Sequence, residues 1–198
     1  MKRYPKPDYE KFLVQVVYGP CKEDEYLEAC VSAPYLDFCR TMHGFGQMKN
    51  KDKIHENAFA KVLSEFKKLA VQSPKTQRSF DLWHRELSTA LIGLFHRGRF
   101  RFYDGQSQKW INIAFKNIFA CGEKRVPGFQ PVYDFCHMPI DNIVLDQLSE
   151  KGIPKPDKPW SMWNYEEYFQ FQVQLREWCG GQPLLNIEHQ LWIDGRNT

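Results

Sequence analysis

No run in this chain approaches the roughly 18 continuous apolar residues that a membrane-spanning helix needs. The N-terminus, Met1-Lys2-Arg3-Tyr4-Pro5-Lys6-Pro7, carries charge with no apolar run behind it, so a secretory signal is not expected and the cytoplasm is the default compartment. Cysteine is sparse and scattered: the six residues at 21, 30, 39, 121, 136 and 179 form no CxxC pair. No Cys/His cluster has zinc-finger spacing, so no metal is expected. With no signal, reduced thiols are the expected state, and Cys21, Cys30 and Cys39, nine residues apart, read as small core or helix-surface residues. There is no internal repeat and no low-complexity tract, which excludes solenoids and disordered linkers. Charge of one sign is also lacking. The 27 Lys and Arg against 24 Asp and Glu leave +3, too even a balance to mark a nucleic-acid binder by itself.

What is present is a core. Hydrophobic residues make up 42% and aromatic residues 15% of 198 positions, enough for one domain or two small lobes. The apolar periodicity is helical nearly throughout. Asp8 is placed to cap a helix over Tyr9–Tyr18, stopped by Gly19-Pro20. Short helices follow over about 23–31 and 35–42. Ile54, Ala58, Val62, Phe66 and Leu69 form the stripe of a longer helix over about 53–70. Leu82, Leu87, Leu91, Leu94 and Phe95 mark another over about 79–95, with Gly98 placed to end it. Phe100-Arg101-Phe102-Tyr103 alternates like a short strand, and an extended lead-in fits equally well. Further helices are expected from Trp110 to Ala120, from Pro139 to Leu148, from an Asn164/Glu167 capping box to Trp178, and after Pro183. Lys151–Pro159 reads as a stiff connector across the surface. About nine helices with short loops give an all-α protein.

One stretch organises the rest. Asp104-Gly105-Gln106-Ser107-Gln108-Lys109 reads as a tight polar turn, with Lys109 opening the helix behind it. A Gly- and Pro-rich loop, Gly122–Pro131, leads on to His137-Met138-Pro139-Ile140-Asp141 at the next helix start, 32 residues after the lysine. Arg97, Arg99 and Arg101 precede the turn, and Lys109, Lys116, Lys124 and Arg125 follow it, a basic patch of the kind that phosphate contact needs. Considered singly, these features are ordinary. A charge run is commonly a solvated face, Lys109 a surface lysine, Asp141 a helix cap and His137 a packed structural group. A cation in a first turn does oppose the helix dipole, however, and a lysine nucleophile must be neutral to attack carbon.

Together they resemble the helix-hairpin-helix DNA glycosylases. The hairpin of that family reads P-G-x-G-x-K, and here Gly105 and Lys109 match while Asp104 and Ser107 stand for the proline and the second glycine. Val126-Pro127-Gly128 and Pro139-Ile140-Asp141 are similar to the family's Gly/Pro loop and its aspartate-bearing helix start. The long lysine-to-aspartate separation looks like the archaeal 8-oxoguanine glycosylase branch, and Glu188 and Trp192 are spaced like that branch's acid and tryptophan. The resemblance covers about residues 80–195; residues 1–75 match only as helices.

The resemblance implies a glycosylase-like fold with a helix-hairpin-helix and an active site in a cleft between two helical lobes. It makes residues 1–198 one unit, with an N-terminal helical part (about 1–75), a hairpin and catalytic part (about 79–150) and C-terminal helices completing a base pocket (about 160–195). Lys109 would attack the sugar C1′ and form a Schiff base, with lyase chemistry to follow, and Asp141 would assist the proton transfer and stabilise developing positive charge. Gly105, Gln106, Ser107, Arg99 and Arg101 would contact DNA, with the backbone of the turn on a phosphate. Glu188 would accept hydrogen bonds from the base edge and Trp192 would stack on it. The partner would be double-stranded DNA carrying a flipped-out modified base, 8-oxoguanine-like or foreign in origin as in phage DNA. The protein would act as a monomer with no membrane and no cofactor: cluster-bearing relatives place four cysteines after the aspartate, where only Cys179 lies here. Two other readings stay open, a non-catalytic helical DNA-binding protein that uses the turn for phosphates, and a helical protein-interaction module.

Overall fold

The computed structural model describes residues 6–96 and 100–196. Among these residues the protein is all-α, with nine α-helices: α1 (Lys6–Tyr18), α2 (Tyr26–Ser32), α3 (Tyr35–Phe38), α4 (Lys51–Val71), α5 (Gln77–Phe95), α6 (Asp104–Cys121), α7 (Asn142–Glu150), α8 (Tyr165–Trp178) and α9 (Leu184–Asp194). Short 3-10 turns lie between them, at Glu23–Glu25, Cys39–Thr41, Phe45–Gln47, Gln130–Phe135 and Trp160–Met162. No described helix is long and apolar enough to cross a membrane.

Local chemistry sets most of the helix ends. Asn164 accepts from Glu167 N–H at 2.9 Å and Glu167 accepts from Asn164 N–H at 2.8 Å, the expected capping box of α8. Thr76 and Ser79 make the same reciprocal pair at the start of α5, which begins at Gln77, two residues ahead of the expected beginning. The buried face of α5 is Phe80, His84, Leu87, Leu91 and Phe95, at spacings of three and four; Leu82 lies on the outer face. The stripe of α4 is buried as its periodicity predicts. Helix α1 begins ahead of Asp8, at Lys6. Phe100–Tyr103 forms no strand and leads extended into α6.

The largest departure concerns α6. It begins at Asp104, so the expected polar turn is the helix's first turn and a half. Asp104, Gln106, Ser107, Gln108, Lys109 and Asn112 are all buried, and α6 packs on α2, α3, α5 and α8. Its polar start is interior because each side chain finds a partner distant in sequence, which lets a polar group be buried at low cost. Gln106 donates to Thr41 O at 2.9 Å, and the Ser88 hydroxyl donates to Asp104 at 2.6 Å while also meeting Ser107. Pro139 likewise lies ahead of α7, whose N-cap is Asp141.

The buried apolar residues form two clusters. One gathers α2 to α6 and the loop through Val126, Phe129, Val132 and Cys136, with Leu185 added. The other gathers Met138 and Ile140, α7 to α9, and Ile153, Trp160 and Trp163. The chain passes from one cluster to the other between Cys136 and Met138, and the next polar residue after that crossing is Asp141. All described cysteines are free thiols.

Candidate active site

Helix α6 presents Lys109 in its second turn, and the N-terminus of α7 presents Asp141. The Lys109 ammonium donates to Asp141 Oδ2 at 2.6 Å, with only 7% and 17% of the two side chains exposed. The other oxygen, Oδ1, accepts from Val144 N–H at 2.9 Å, so the carboxylate is pinned by the α7 cap while its free oxygen points at the lysine. The positive end of the α7 dipole also favours a carboxylate at this position. Solvent screens such a pair weakly, so the attraction is stronger than between surface charges.

The backbone that carries Asp141 is held by a buried polar array. Gln108 donates from Nε2 to Ile140 O at 3.0 Å and accepts from Ile140 N–H at 3.2 Å on Oε1. Gln172, from α8, holds Met138 the same way, N–H at 3.0 Å and C=O at 2.8 Å. Asn112 donates to Gln108 Oε1 at 3.0 Å and to the Tyr168 hydroxyl at 2.9 Å. The Tyr168 hydroxyl meets His137 Nδ1 at 2.6 Å, and His137 Nε2 meets Asp81 at 2.7 Å. Asp81 also receives Arg176 at 2.7 Å. A carboxylate can only accept, so His137 donates from Nε2 and accepts the tyrosine proton on Nδ1. Burial, opposed by the bond to Asp81, pulls the His137 pKa down to about 4. Burial works against the Asp81 carboxylate too, but the His137 and Arg176 bonds outweigh it and hold its pKa well below the usual range. Complete burial likewise keeps His84, which meets Asn112 Oδ1 at 3.1 Å, neutral. His137 is therefore an interior structural group and takes no part at the site mouth.

Lys109 and Asp141 open onto a cavity of about 730 Å³ walled by α3 (Asp37), the 3-10 turn after it (Arg40), α6 (Lys109, Ile113, Lys116), the start of α7, Trp160 and α9 (Glu188, Trp192). On the α9 wall Glu188 is 1% exposed, and Lys116 Nζ donates to its Oε1 at 2.8 Å. Its Oε2 is buried without a hydrogen bond, although the same ammonium lies 2.8 Å away from it. The contact is electrostatic on that side and misdirected as a hydrogen bond, leaving a buried acceptor without a hydrogen bond on a residue of the cavity wall. Burial raises the Glu188 pKa, with Lys116 and Lys109 opposing. The Lys116 ammonium also lies 4.9 Å from the half-buried ring of Trp192, and Arg196 covers the ring at the same distance. Burial raises the pKa of Asp37, again against the pull of Lys109 and Arg40.

Of the expected site residues, Lys109, Asp141, Glu188 and Trp192 meet at this one cavity. Gly105, Gln106 and Ser107 do not present a phosphate-binding turn, and that expectation is corrected. The Gly105 N–H donates to Trp163 O at 3.1 Å, and the N–H groups of Gln106 and Ser107 donate to Tyr103 O. A Cβ on Gly105 would lie 1.7 Å from Trp160 O, so the glycine serves close helix packing. Arg101 is exposed just ahead of α6, while Arg99, with Arg97 and Gly98, lies outside the described residues. Lys116 belongs to the cavity and not to a surface patch. Lys116, Asp37 and Gln108 were not singled out by sequence as site residues. For Lys116 a signal existed: it lies seven residues after Lys109, on the same face of α6.

Among the described residues no group of three or more His, Cys, Asp or Glu could hold a metal ion. No family model, curated protein or solved structure matches the chain.

Proposed function

We propose that this protein is a DNA glycosylase with associated abasic-site lyase activity, of the helix-hairpin-helix kind, in which Lys109 is the nucleophile and Asp141 its proton acceptor. The observation that carries this reading is the shielded 2.6 Å contact between Lys109 and Asp141 on the wall of a cavity that Glu188, Lys116 and Trp192 also line. A cavity of about 730 Å³ accommodates a flipped nucleotide, and a base cannot be reached while it is stacked in a duplex. Trp192 offers a ring on which a base would stack in place of a covering cation, Glu188 Oε2 an unused acceptor, and Lys116 a donor beside it. A donor and an acceptor side by side suit a purine edge such as that of an oxidised guanine, or a modified base of foreign DNA.

In this mechanism Lys109 gives a proton to Asp141. Its nitrogen then bonds to C1′ as the glycosidic bond breaks, and the base departs with the bonding electrons. Asp141 faces the positive charge that develops on the sugar. Opening of the sugar ring leaves a Schiff base between Lys109 and C1′, from which loss of the C2′ proton expels the 3′ phosphate. The protein would work as a monomer on duplex DNA in the cytoplasm, with Arg40 at the cavity and Arg101 ahead of α6, both exposed, for the DNA backbone.

Incubating the protein with duplexes that each carry one modified base, with borohydride present, tests the reading. A covalent adduct on at least one duplex, absent in Lys109→Ala, is expected. Its absence across a broad panel of oxidised, alkylated and deaminated bases and abasic sites would refute it.

A further inference from the structure

We infer that Gln108 is a positioning residue for catalysis, the group that sets the distance between the nucleophile and its proton acceptor. It rests on the glycosylase reading above. Gln108 precedes Lys109 on α6, and its amide spans both backbone groups of Ile140, the residue preceding Asp141. One side chain thus ties the backbone of the nucleophile to that of the carboxylate by two hydrogen bonds, each one residue from the reacting pair. No other described side chain is seen to bond both polar backbone groups of Ile140.

The amide has little freedom to turn over. Its Oε1 accepts from Ile140 N–H and from Asn112, and Asn112 is oriented by Tyr168 and His84. A flipped amide would set an NH₂ group against two donors at once. The array through Asn112, Tyr168, His137 and Asp81 therefore fixes not only where Gln108 sits but which of its ends faces Ile140 N–H. All of its members except Asp81 are fully buried, so water does not compete for these bonds.

Gln172 supplies a matched comparison, because it holds Met138 through the same two backbone groups and is also fully buried. Loss of Gln172 removes two buried hydrogen bonds, and loss of Gln108 removes the corresponding two and the one from Asn112. Only loss of Gln108 releases the residue next to Asp141.

The test uses the full chain and a duplex with one abasic site, on which Schiff-base formation needs no base excision. Single-turnover rates of borohydride-trappable adduct are measured beside affinity for a duplex with a tetrahydrofuran abasic analogue. Gln108→Met is expected to slow adduct formation about 10- to 100-fold, the scale of an ångström-level misplacement of reacting groups, with affinity within about threefold. Gln172→Met is expected to stay within about threefold of wild type in both. If the two variants slow equally, or Gln108→Met keeps the wild-type rate, Gln108 is only structural and the inference fails. If wild type forms no adduct, or forms one that survives Lys109→Ala, the functional reading itself fails. Should Gln108→Met not fold, Gln108→Glu replaces it. As a carboxylate it loses the bond to Ile140 O and as the neutral acid it regains it, so its deficit relative to wild type narrows as pH is lowered. A deficit that does not change with pH would overturn the inference.

Discussion

Substituting Gly105 by alanine separates two accounts of the start of α6. A glycine in a helix costs about 1 kcal/mol relative to alanine, so propensity alone predicts that Gly105→Ala stabilises the protein. The packing predicts the reverse. The added Cβ would lie 1.7 Å from Trp160 O, 2.8 Å from Trp160 C and 3.2 Å from Ser161 C. Every one of these is a backbone atom, so no rotamer change relieves the clash. The Trp160–Met162 turn has to move by more than an ångström, and the Gly105 N–H to Trp163 O bond weakens with it. Overpacking costs about 1–3 kcal/mol and a hydrogen bond about 1 kcal/mol, which leaves a net loss of roughly 1–3 kcal/mol after the propensity gain. For a chain of this size that lowers the unfolding midpoint by about 2–12 °C. Thermal unfolding followed by circular dichroism at 222 nm reads it directly. Gly93→Ala in α5, where a Cβ meets nothing within 4 Å, should show the propensity gain alone. An unchanged or raised midpoint for Gly105→Ala would refute the buried helix start and restore the exposed phosphate-binding turn.

The remaining expectations concern pH, the pocket and the thiols. The unfolded chain takes up protons on His84 and His137 near pH 6.5, whereas burial keeps both neutral in the fold, His137 down to about 4. Stability should therefore fall as pH drops from about 6.5 to 4, by an amount on the order of 3 kcal/mol for His137 alone, and fall further as Asp81, whose pKa is depressed, is protonated. Urea midpoints that stay flat from pH 7 to 4.5 would contradict that balance. Glu188→Gln should reduce excision of the preferred base at least about 10-fold while leaving adduct formation on a preformed abasic site within about threefold, since only the former reads the base edge. Equal losses on both substrates would place Glu188 in the chemical step. Cys21 and Cys39, which are partly exposed, should react with a disulfide reagent in the folded protein, and the other four thiols only on unfolding; fast reaction of all six would contradict the burial.

The helices were legible because their apolar spacing repeats along one face, and the stripe of α4 and the cap of α8 needed nothing more than local chemistry. Asp141 was legible as a cap for the same reason. The start of α6 was not. Five of the six residues 104–109 are polar or charged, and composition reads such a run as a surface turn. What buries them are partners 65, 32 and 16 residues away, Thr41, Ile140 and Ser88, and no local signal carries those pairings. Lys116 was read as one more surface charge because its partner Glu188 lies 72 residues on. Resemblance to a motif paired Lys109 with Asp141, while the side chain that ties their backbones together, Gln108, was passed over as part of a turn.

The central claim is that Lys109 becomes covalently bonded to a sugar carbon. Digesting the borohydride-reduced adduct with trypsin and nuclease, then sequencing the modified peptide by mass spectrometry, locates the bond. The account predicts one modified residue, Lys109, carrying a reduced deoxyribose remnant, and no adduct in Lys109→Ala or Lys109→Met. A remnant on Lys116, on the N-terminal amine or on any other lysine would contradict it.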